Sequence, residues 1–360
     1  LFINPGGPGG SGVEAVSTMA TSTFAGVQKA YDIIGFDPRG VGSSTAITCT
    51  SDTEVTAMAE AAPVTAGDGA TAFEQRAAAI SAQFKQLEAS CAANTKPAEL
   101  LDHVDTVSVA RDLDVLRALS GDQKLNYTGF SYGTYLGATY AELFPANTGR
   151  MVLDGALDPS LTYNERRQGQ ALGFERALRN YVAWCQSGQN CPLTGDTDAG
   201  VKQIGDVFTS ANQSPVPSSD PNRPVTGEDM KQVISLLLYS PETSWGTGNE
   251  ALAQVINEHD ASIFRTILSR LDAQPVVSTG AMIGTNCLDY RVEGDMATWK
   301  AQSEELERIA PRFATIAEAG DLGCQAWGHT GTQPPKALHA KGAAPILVIG
   351  TTGDPATPYE

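Results

Sequence analysis

The sequence feature that most constrains this chain is a G-x-S-x-G pentapeptide at residues 129–133. An apolar stretch at 124–128 precedes it and predicts a strand, and residues 134–144 predict a helix. A sharp turn from a strand into a helix requires small residues around its central serine, because neighbouring backbone comes too close for larger side chains. The pattern therefore predicts that Ser131 lies on a tight strand-to-helix turn.

A serine hydroxyl becomes a nucleophile only when a base takes its proton and hydrogen-bond donors stabilise the oxyanion that forms. The glycine-rich segment at residues 5–12 follows an apolar strand at 1–4, where exposed backbone N–H groups could supply such donors. A phosphate-binding loop is the alternative, but no G-K-[ST] follows, and Pro8 interrupts the G-x-G-x-x-G spacing. We expect one donor from this loop and a second from the N–H of Tyr132.

Asp354 follows a late apolar strand at 345–350. In the fold that uses such a serine turn, the chain order is serine, then acid, then histidine, so Asp354 is placed as the acid. The other interpretation is a turn or helix-capping residue. None of the histidines follows Asp354, where the base is expected, and each is interpreted as a surface or structural residue: His103, His259, His329 and His339.

Strands and helices alternate in the first 50 residues and again over 105–154, and a strand returns at 345–350, which predicts an α/β fold with a mostly parallel sheet flanked by helices. Residues 1–158 form the first part of this core, with a helical insertion at about 46–103. Residues 159–340 contain helical stretches without a convincing strand and are predicted to form an inserted helical cap. Residues 341–360 return to the core. Outside the serine unit, the predicted elements are strands at 31–36 and 150–153 and helices at 13–30, 107–119, 173–184, 230–239, 250–271 and 296–319.

The charge balance excludes some partners. Twenty-four basic residues against 41 acidic ones give a net charge of −17, which argues against nucleic-acid binding.

No stretch reaches the roughly 18–20 apolar residues that a membrane span needs. No C-x-x-C pair is present and the histidines are scattered, so we predict no metal and no cofactor. The oligomeric state stays open.

The six cysteines are either buried thiols or three disulfides formed in an oxidising compartment. The low lysine content and acidic bias favour disulfides and a secreted, extracellular protein. Pairing in sequence order is the simplest of the 15 possible connectivities. It predicts Cys49–Cys91, Cys185–Cys191 and Cys287–Cys324.

Both ends of the chain suggest truncation. Residue 1 is Leu within an apolar strand, and the chain stops at Glu360, shortly after Asp354. No signal peptide is visible. We expect the catalytic histidine to lie beyond residue 360.

Taken together, the motifs make the chain resemble the secreted tripeptidyl aminopeptidases of actinobacteria, within the prolyl-aminopeptidase-like serine peptidases of the α/β-hydrolase fold. The resemblance runs along the whole chain and is carried by residues 4–12, 35–40, 112–113, 129–134, 152–155, 287–289, 324 with 327, 353–355 and 357–358.

This resemblance implies an exopeptidase that releases short peptides, such as tripeptides, from free N-termini. Ser131 would be the nucleophile and Asp354 the triad acid, with Gly7 and Tyr132 as oxyanion donors. Asp289 is similar in place to cap acids that hold the ammonium group of the substrate, although it could simply anchor a turn beside Cys287. An esterase or lipase-like hydrolase and a catalytically inactive binding protein are the alternatives.

Overall fold

The structure is a computed structural model that describes residues 1–49, 69–188, 190–273, 277–318 and 320–359. Its sheet has the order β2-β1-β3-β4-β5, and every pairing among these strands is parallel. The strands are β1 (Phe2–Asn4), β2 (Ile34–Gly35), β3 (Leu125–Phe130), β4 (Thr148–Asp154) and β5 (Ile346–Ile349). The predicted α/β fold with a mostly parallel sheet is confirmed.

Among the described residues, four α-helices precede β4: α1 (Gly12–Met19), α2 (Gly69–Asn94), α3 (Thr106–Leu119) and α4 (Tyr132–Leu143). The prediction of one helix over 13–30 is wrong, because α1 ends at Met19 and turns follow. In this segment the hydroxyls of Ser17, Thr18 and Ser22 bond to backbone carbonyls three or four residues earlier. Such bonds make serine and threonine weak helix formers. The predicted strand at 31–36 is reduced to the two residues of β2.

The predicted insertion at 46–103 falls partly outside the described residues, which omit 50–68. Its described part contains α2 and a short 3₁₀ helix, Ala98–Asp102. The Cys49–Cys91 disulfide joins the end of the described segment 1–49 to α2.

A series of helices lies between β4 and β5, and we call it the helical region. It contains α5 (Tyr163–Ser187), α6 (Thr197–Gln213), α7 (Gly227–Leu237), α8 (Pro241–Glu258), α9 (Ser262–Ala273), α10 (Thr279–Asp289), α11 (Met296–Ile309), α12 (Thr315–Glu318) and α13 (Gly320–Trp327). It buries apolar side chains of its own, among them Leu178, Ile204 and Phe264. The three-part division of the chain, with a cap at 159–340, remains a prediction.

Two predicted helices of this region are interrupted. The one at 250–271 breaks at His259, whose left-handed backbone (φ 54°) ends α8 before α9 begins. The one at 296–319 ends at Ile309, because Pro311 cannot continue the hydrogen-bond pattern of the helix. Helices α6, α10 and α13 were not predicted.

The three predicted disulfides are confirmed. Cys49 bonds to Cys91, Cys185 to Cys191 and Cys287 to Cys324. The last of these joins α10 to α13 and so fixes the end of the helix that carries Asp289. Among the described helices, none is both long and apolar enough to cross a membrane.

Candidate active site

Ser131 occupies the turn between β3 and α4 with φ 52° and ψ −122°. For a residue with a side chain, such a conformation costs about 1–3 kcal/mol and persists only where the surroundings hold it. The Ser131 N–H donates to the Asp154 carbonyl at 3.0 Å. The Thr134 N–H and hydroxyl donate to the Ser131 carbonyl at 2.8 and 2.6 Å. These bonds from β4 and α4 stabilise the strained turn. The pentapeptide correctly predicts a tight strand-to-helix turn at Ser131.

Close packing explains the glycines of the pentapeptide. A Cβ atom on Gly129 would lie 2.2 Å from the Gly133 carbonyl oxygen, and one on Gly133 would lie 2.7 Å from the Asn4 carbonyl oxygen. No side chain fits at either position without moving backbone. The turn is therefore packed directly against β1 and the glycine-rich loop that follows it.

That loop lies against the serine turn. A Cβ on Gly6 would be 2.5 Å from the Phe130 carbonyl oxygen and 3.2 Å from the Tyr132 nitrogen. The Gly6 N–H is already bonded to the Asn4 side chain at 2.9 Å. Within the described part of the chain, the N–H groups of Gly7 and Tyr132 have no hydrogen-bond partner. Two free donors are thus available, one on the residue after the serine and one in the glycine-rich loop that packs against the turn.

Asp354 lies in the loop after β5, where its carboxylate is held on both oxygens. Oδ1 accepts the N–H groups of Ala356 and Thr357 at 2.8 and 2.9 Å, and Oδ2 accepts the Thr357 hydroxyl at 2.6 Å. A Cβ on Gly155 would lie 3.7 Å from the Ser131 nitrogen and 3.8 Å from Asp354 Oδ2. The carboxylate and the serine turn therefore border the same space beside Gly155. Asp354 is a turn residue as well as a candidate acid.

The His329 ring makes its contacts away from the serine turn. His329 Nδ1 lies 2.6 Å from an Asp102 oxygen, and its Nε2 lies 3.4 Å from Glu88. No histidine ring in the described segments hydrogen-bonds to Ser131. The place of the catalytic base beyond residue 360 stays a prediction.

Asp289, the last residue of α10, is connected to the residue after the serine. Its Oδ1 accepts the Thr106 N–H at 2.7 Å, and its Oδ2 accepts the Thr106 hydroxyl at 2.6 Å. The Thr106 Oγ1 also makes a short hydrogen bond with the Tyr132 hydroxyl. Since the Thr106 proton is directed at Asp289, the Tyr132 hydroxyl is the donor in that bond. Two hydrogen bonds thus link Asp289 to the tyrosine at the start of α4.

The electrostatic environment of Asp289 is unusual. Burial raises the pKa of its carboxyl to about 7, outweighing the hydrogen bonds from Thr106, which lower the pKa. The nearby Arg166 guanidinium donates instead to Asn286 Oδ1 at 2.7 Å and lies over the Tyr290 ring at 5.2 Å. In the described structure Asp289 has no cationic hydrogen-bond partner. Each of its oxygens accepts one bond and retains a free lone pair.

Sequence reasoning missed Thr106 and Arg166. Thr106 is the first residue of α3 after the capping Asp105, and nothing local distinguishes it from an ordinary helix start. Its contact with Asp289 joins positions far apart in the chain. Thr357 lay within a motif of the resemblance, but its bond to Asp354 was not anticipated.

No group of three or more His, Cys, Asp or Glu side chains in the described ranges could hold a metal ion. The groups that the site does assemble are the serine, the candidate acid and the free N–H donors.

A parallel sheet with a serine on a strained strand-to-helix turn is typical of serine hydrolases of the α/β-hydrolase class. The family model for the alpha/beta hydrolase fold matches residues 1–360, and the chain belongs to that family. The resemblance to tripeptidyl aminopeptidases is confirmed, because such an enzyme from Streptomyces lividans is 32% identical over 373 residues, covering 100% of this chain and 66% of the relative.

Two further relatives have different names. Serine protease Hip1 of Mycobacterium tuberculosis is 34% identical over 376 residues, covering 100% of this chain and 70% of the relative. Carboxylesterase B of the same organism is 33% identical over 376 residues, covering 100% of this chain and 69% of the relative. The chain is thus a serine hydrolase that spans about two thirds of the length of these relatives.

Proposed function

We propose that the protein is a serine exopeptidase that releases short peptides from free N-termini through an acyl-enzyme on Ser131. The observation that carries this proposal is Asp289, a desolvated carboxylate without a cationic partner, linked through Thr106 to the tyrosine next to the serine. An ammonium group placed there would gain charge-assisted hydrogen bonds. Relatives named serine protease and tripeptidyl aminopeptidase support a peptide substrate.

The proposed reaction begins when the base histidine takes the proton of Ser131 and the serine oxygen attacks the scissile carbonyl carbon. The N–H groups of Gly7 and Tyr132 stabilise the oxyanion. Asp354 orients the histidine and stabilises its imidazolium form. The proton then passes to the leaving amine as the C–N bond breaks. Water attacks the acyl-enzyme, releasing the short peptide and restoring Ser131.

The protein is proposed to act outside the cell. Three disulfides are typical of proteins that fold in an oxidising compartment. This agrees with the acidic, lysine-poor composition.

Three substrates distinguish this function from its alternatives: an unblocked tripeptide amide, the same peptide with an acetylated N-terminus, and a short acyl ester. We expect the full-length enzyme to cleave only the unblocked peptide efficiently. Efficient turnover of the acyl ester with no preference for a free amine would favour the esterase function, which the carboxylesterase relative suggests. No turnover of any of the three would favour an inactive binding protein.

Replacing Asp289 with asparagine should lower kcat/KM for the unblocked peptide by about 10²-fold, because the substrate ammonium would be buried without its counter-charge. Turnover of the acetylated peptide should be unchanged, which provides the internal control. In the wild type, lowering the pH through about 7 protonates Asp289 and should raise KM for the unblocked peptide. An asparagine variant with wild-type KM and kcat would exclude Asp289 from amine recognition.

The Asp289→Asn substitution, which should lower kcat/KM, should in contrast raise the free energy of unfolding. The pKa of Asp289 in the folded protein, about 7, is above the value of about 4 for an unfolded chain. The carboxyl group therefore favours folding below about pH 4, and this contribution is lost as the pH rises to about 7. The Asp289→Asn variant should gain stability relative to the wild type across this window. Urea unfolding at both ends of the window measures the difference.

A further inference from the structure

We propose that α5, the first helix of the helical region, positions the triad acid through two of its residues, Gln170 and Gly173. The inference rests on the proposed function, in which Asp354 is that acid. It assigns to the helical region a part in catalysis that is separate from the binding of the substrate amine by Asp289.

Gln170 bonds to the acid loop from one side. Its side-chain N–H donates to the Ala356 carbonyl oxygen at 2.9 Å. The N–H of the same Ala356 donates to Asp354 Oδ1 at 2.8 Å. Gln170, Ala356 and Asp354 therefore form a hydrogen-bonded series from α5 to the carboxylate.

Gly173 brings the helix backbone against the same loop. A Cβ at this position would lie 2.5 Å from the Pro355 carbonyl oxygen and 2.7 Å from Pro358 Cγ. The side chain of Ala356 is 7% exposed and belongs to the apolar core of the helical region. The loop that carries the acid is thus packed into the helical region and is not an independent extension of β5.

The contact of α5 with this loop also fixes the Asp354 carboxylate, because the hydrogen bonds of the carboxylate come from residues of the same loop. Ala356 and Thr357 supply all three of the bonds described for the Asp354 carboxylate. A methyl group at Gly173 must retreat from 2.5 Å to the ordinary contact range that begins at 3.4 Å, which moves the loop by about 1 Å. A misplacement of about 1 Å in a catalytic constellation can cost about 10²-fold in rate.

The test compares two alanine substitutions on one helix in the full-length enzyme. Gly169 lies one turn before Gly173, and a Cβ there has nothing within 4 Å, so Gly169→Ala is the matched control. We expect Gly169→Ala to keep the wild-type kcat for the unblocked peptide. Gly173→Ala should lower kcat about 10²-fold while KM stays within about twofold.

The pH profile separates positioning from general damage. An acid held farther from the histidine stabilises its imidazolium less, so the acidic limb of the kcat profile should move to lower pH in Gly173→Ala. Among the described residues, Tyr239, in the turn after α7, is a titratable group that lies near Asp354. Burial and the Asp354 charge raise the pKa of Tyr239, so that its hydroxyl stays neutral across the assay.

Gln170→Met provides a second variant that adds no atom against Pro355. It removes the bond to Ala356 and should lower kcat by about 10-fold with the same direction of pH shift, at a thermal midpoint close to the wild type. If Gly173→Ala does not fold, this variant decides the question. Wild-type kcat and pH profile in either folded variant, or a loss of kcat without the pH shift, would overturn the positioning role. Full activity of Ser131→Ala would instead refute the proposed function itself.

Discussion

Replacing Ser131 with alanine will lower kcat of the full-length enzyme for an unblocked peptide by about 10⁵–10⁶-fold, as expected when a triad nucleophile is removed. The residual rate will come from the oxyanion donors and substrate binding, which alone give about 10³–10⁴-fold over water. KM will change little, because the serine hydroxyl contributes to the transition state and not to recognition of the amine. Steady-state kinetics with highly purified protein measures the loss.

The strained backbone at Ser131 provides a control on the fold. Alanine retains the N–H bond to Asp154 and the carbonyl bonds from Thr134, so the thermal midpoint should not change. Glycine has no Cβ penalty at φ 52° and should raise the midpoint while abolishing activity equally. A variant without the hydroxyl that retains more than about 1% of the activity would show that Ser131 is not the nucleophile.

Replacing Asp354 with asparagine should lower kcat by about 10⁴-fold, the loss seen when a triad aspartate becomes an amide and the histidine takes the wrong tautomer. The fold should tolerate the change. The amide oxygen can still accept the N–H groups of Ala356 and Thr357, and the new NH₂ group can donate to the Thr357 hydroxyl. The activity loss and an unchanged midpoint should therefore appear together.

Asp158 offers a matched comparison for this substitution. It also lies in a turn after a strand, and one of its oxygens accepts the N–H and hydroxyl of Ser160 at 2.8 and 2.6 Å. Asp158→Asn should leave kcat unchanged. Equal losses in both variants would mean that turn geometry, and not the charge of the acid, accounts for the effect of Asp354→Asn.

The parts of the site that the sequence predicts are those with local signals. Ser131 lies between flanking glycines, a strand and a helix, and Asp354 follows an apolar strand, so short segments were enough to place both. The disulfides followed from pairing in sequence order. This pairing is confirmed: each bond joins two cysteines that follow one another in the sequence.

Contacts between distant segments could not be predicted in this way. The Thr106 bonds to Asp289 join α3 to α10, and no periodicity relates those positions. The packing of Gly173 against Pro355 likewise depends on how the helical region returns to β5. Some predicted helix ends are wrong for a different reason. His259 adopts a left-handed conformation in the middle of an apolar periodic stretch, where helix propensity alone continues the helix.

The pairing of β4 with β5 has a consequence for how the protein acquires activity after synthesis. Met151 pairs with Ile346, and the entire helical region lies between them in the chain. Closing so long a loop is entropically costly, and that cost falls once the intervening helices have collapsed around their own core. We therefore expect β5, and with it Asp354, to join the sheet late in folding. Recovery of catalysis in a refolding experiment would then report the completion of the helical region, while spectroscopic signals from earlier helices would recover first.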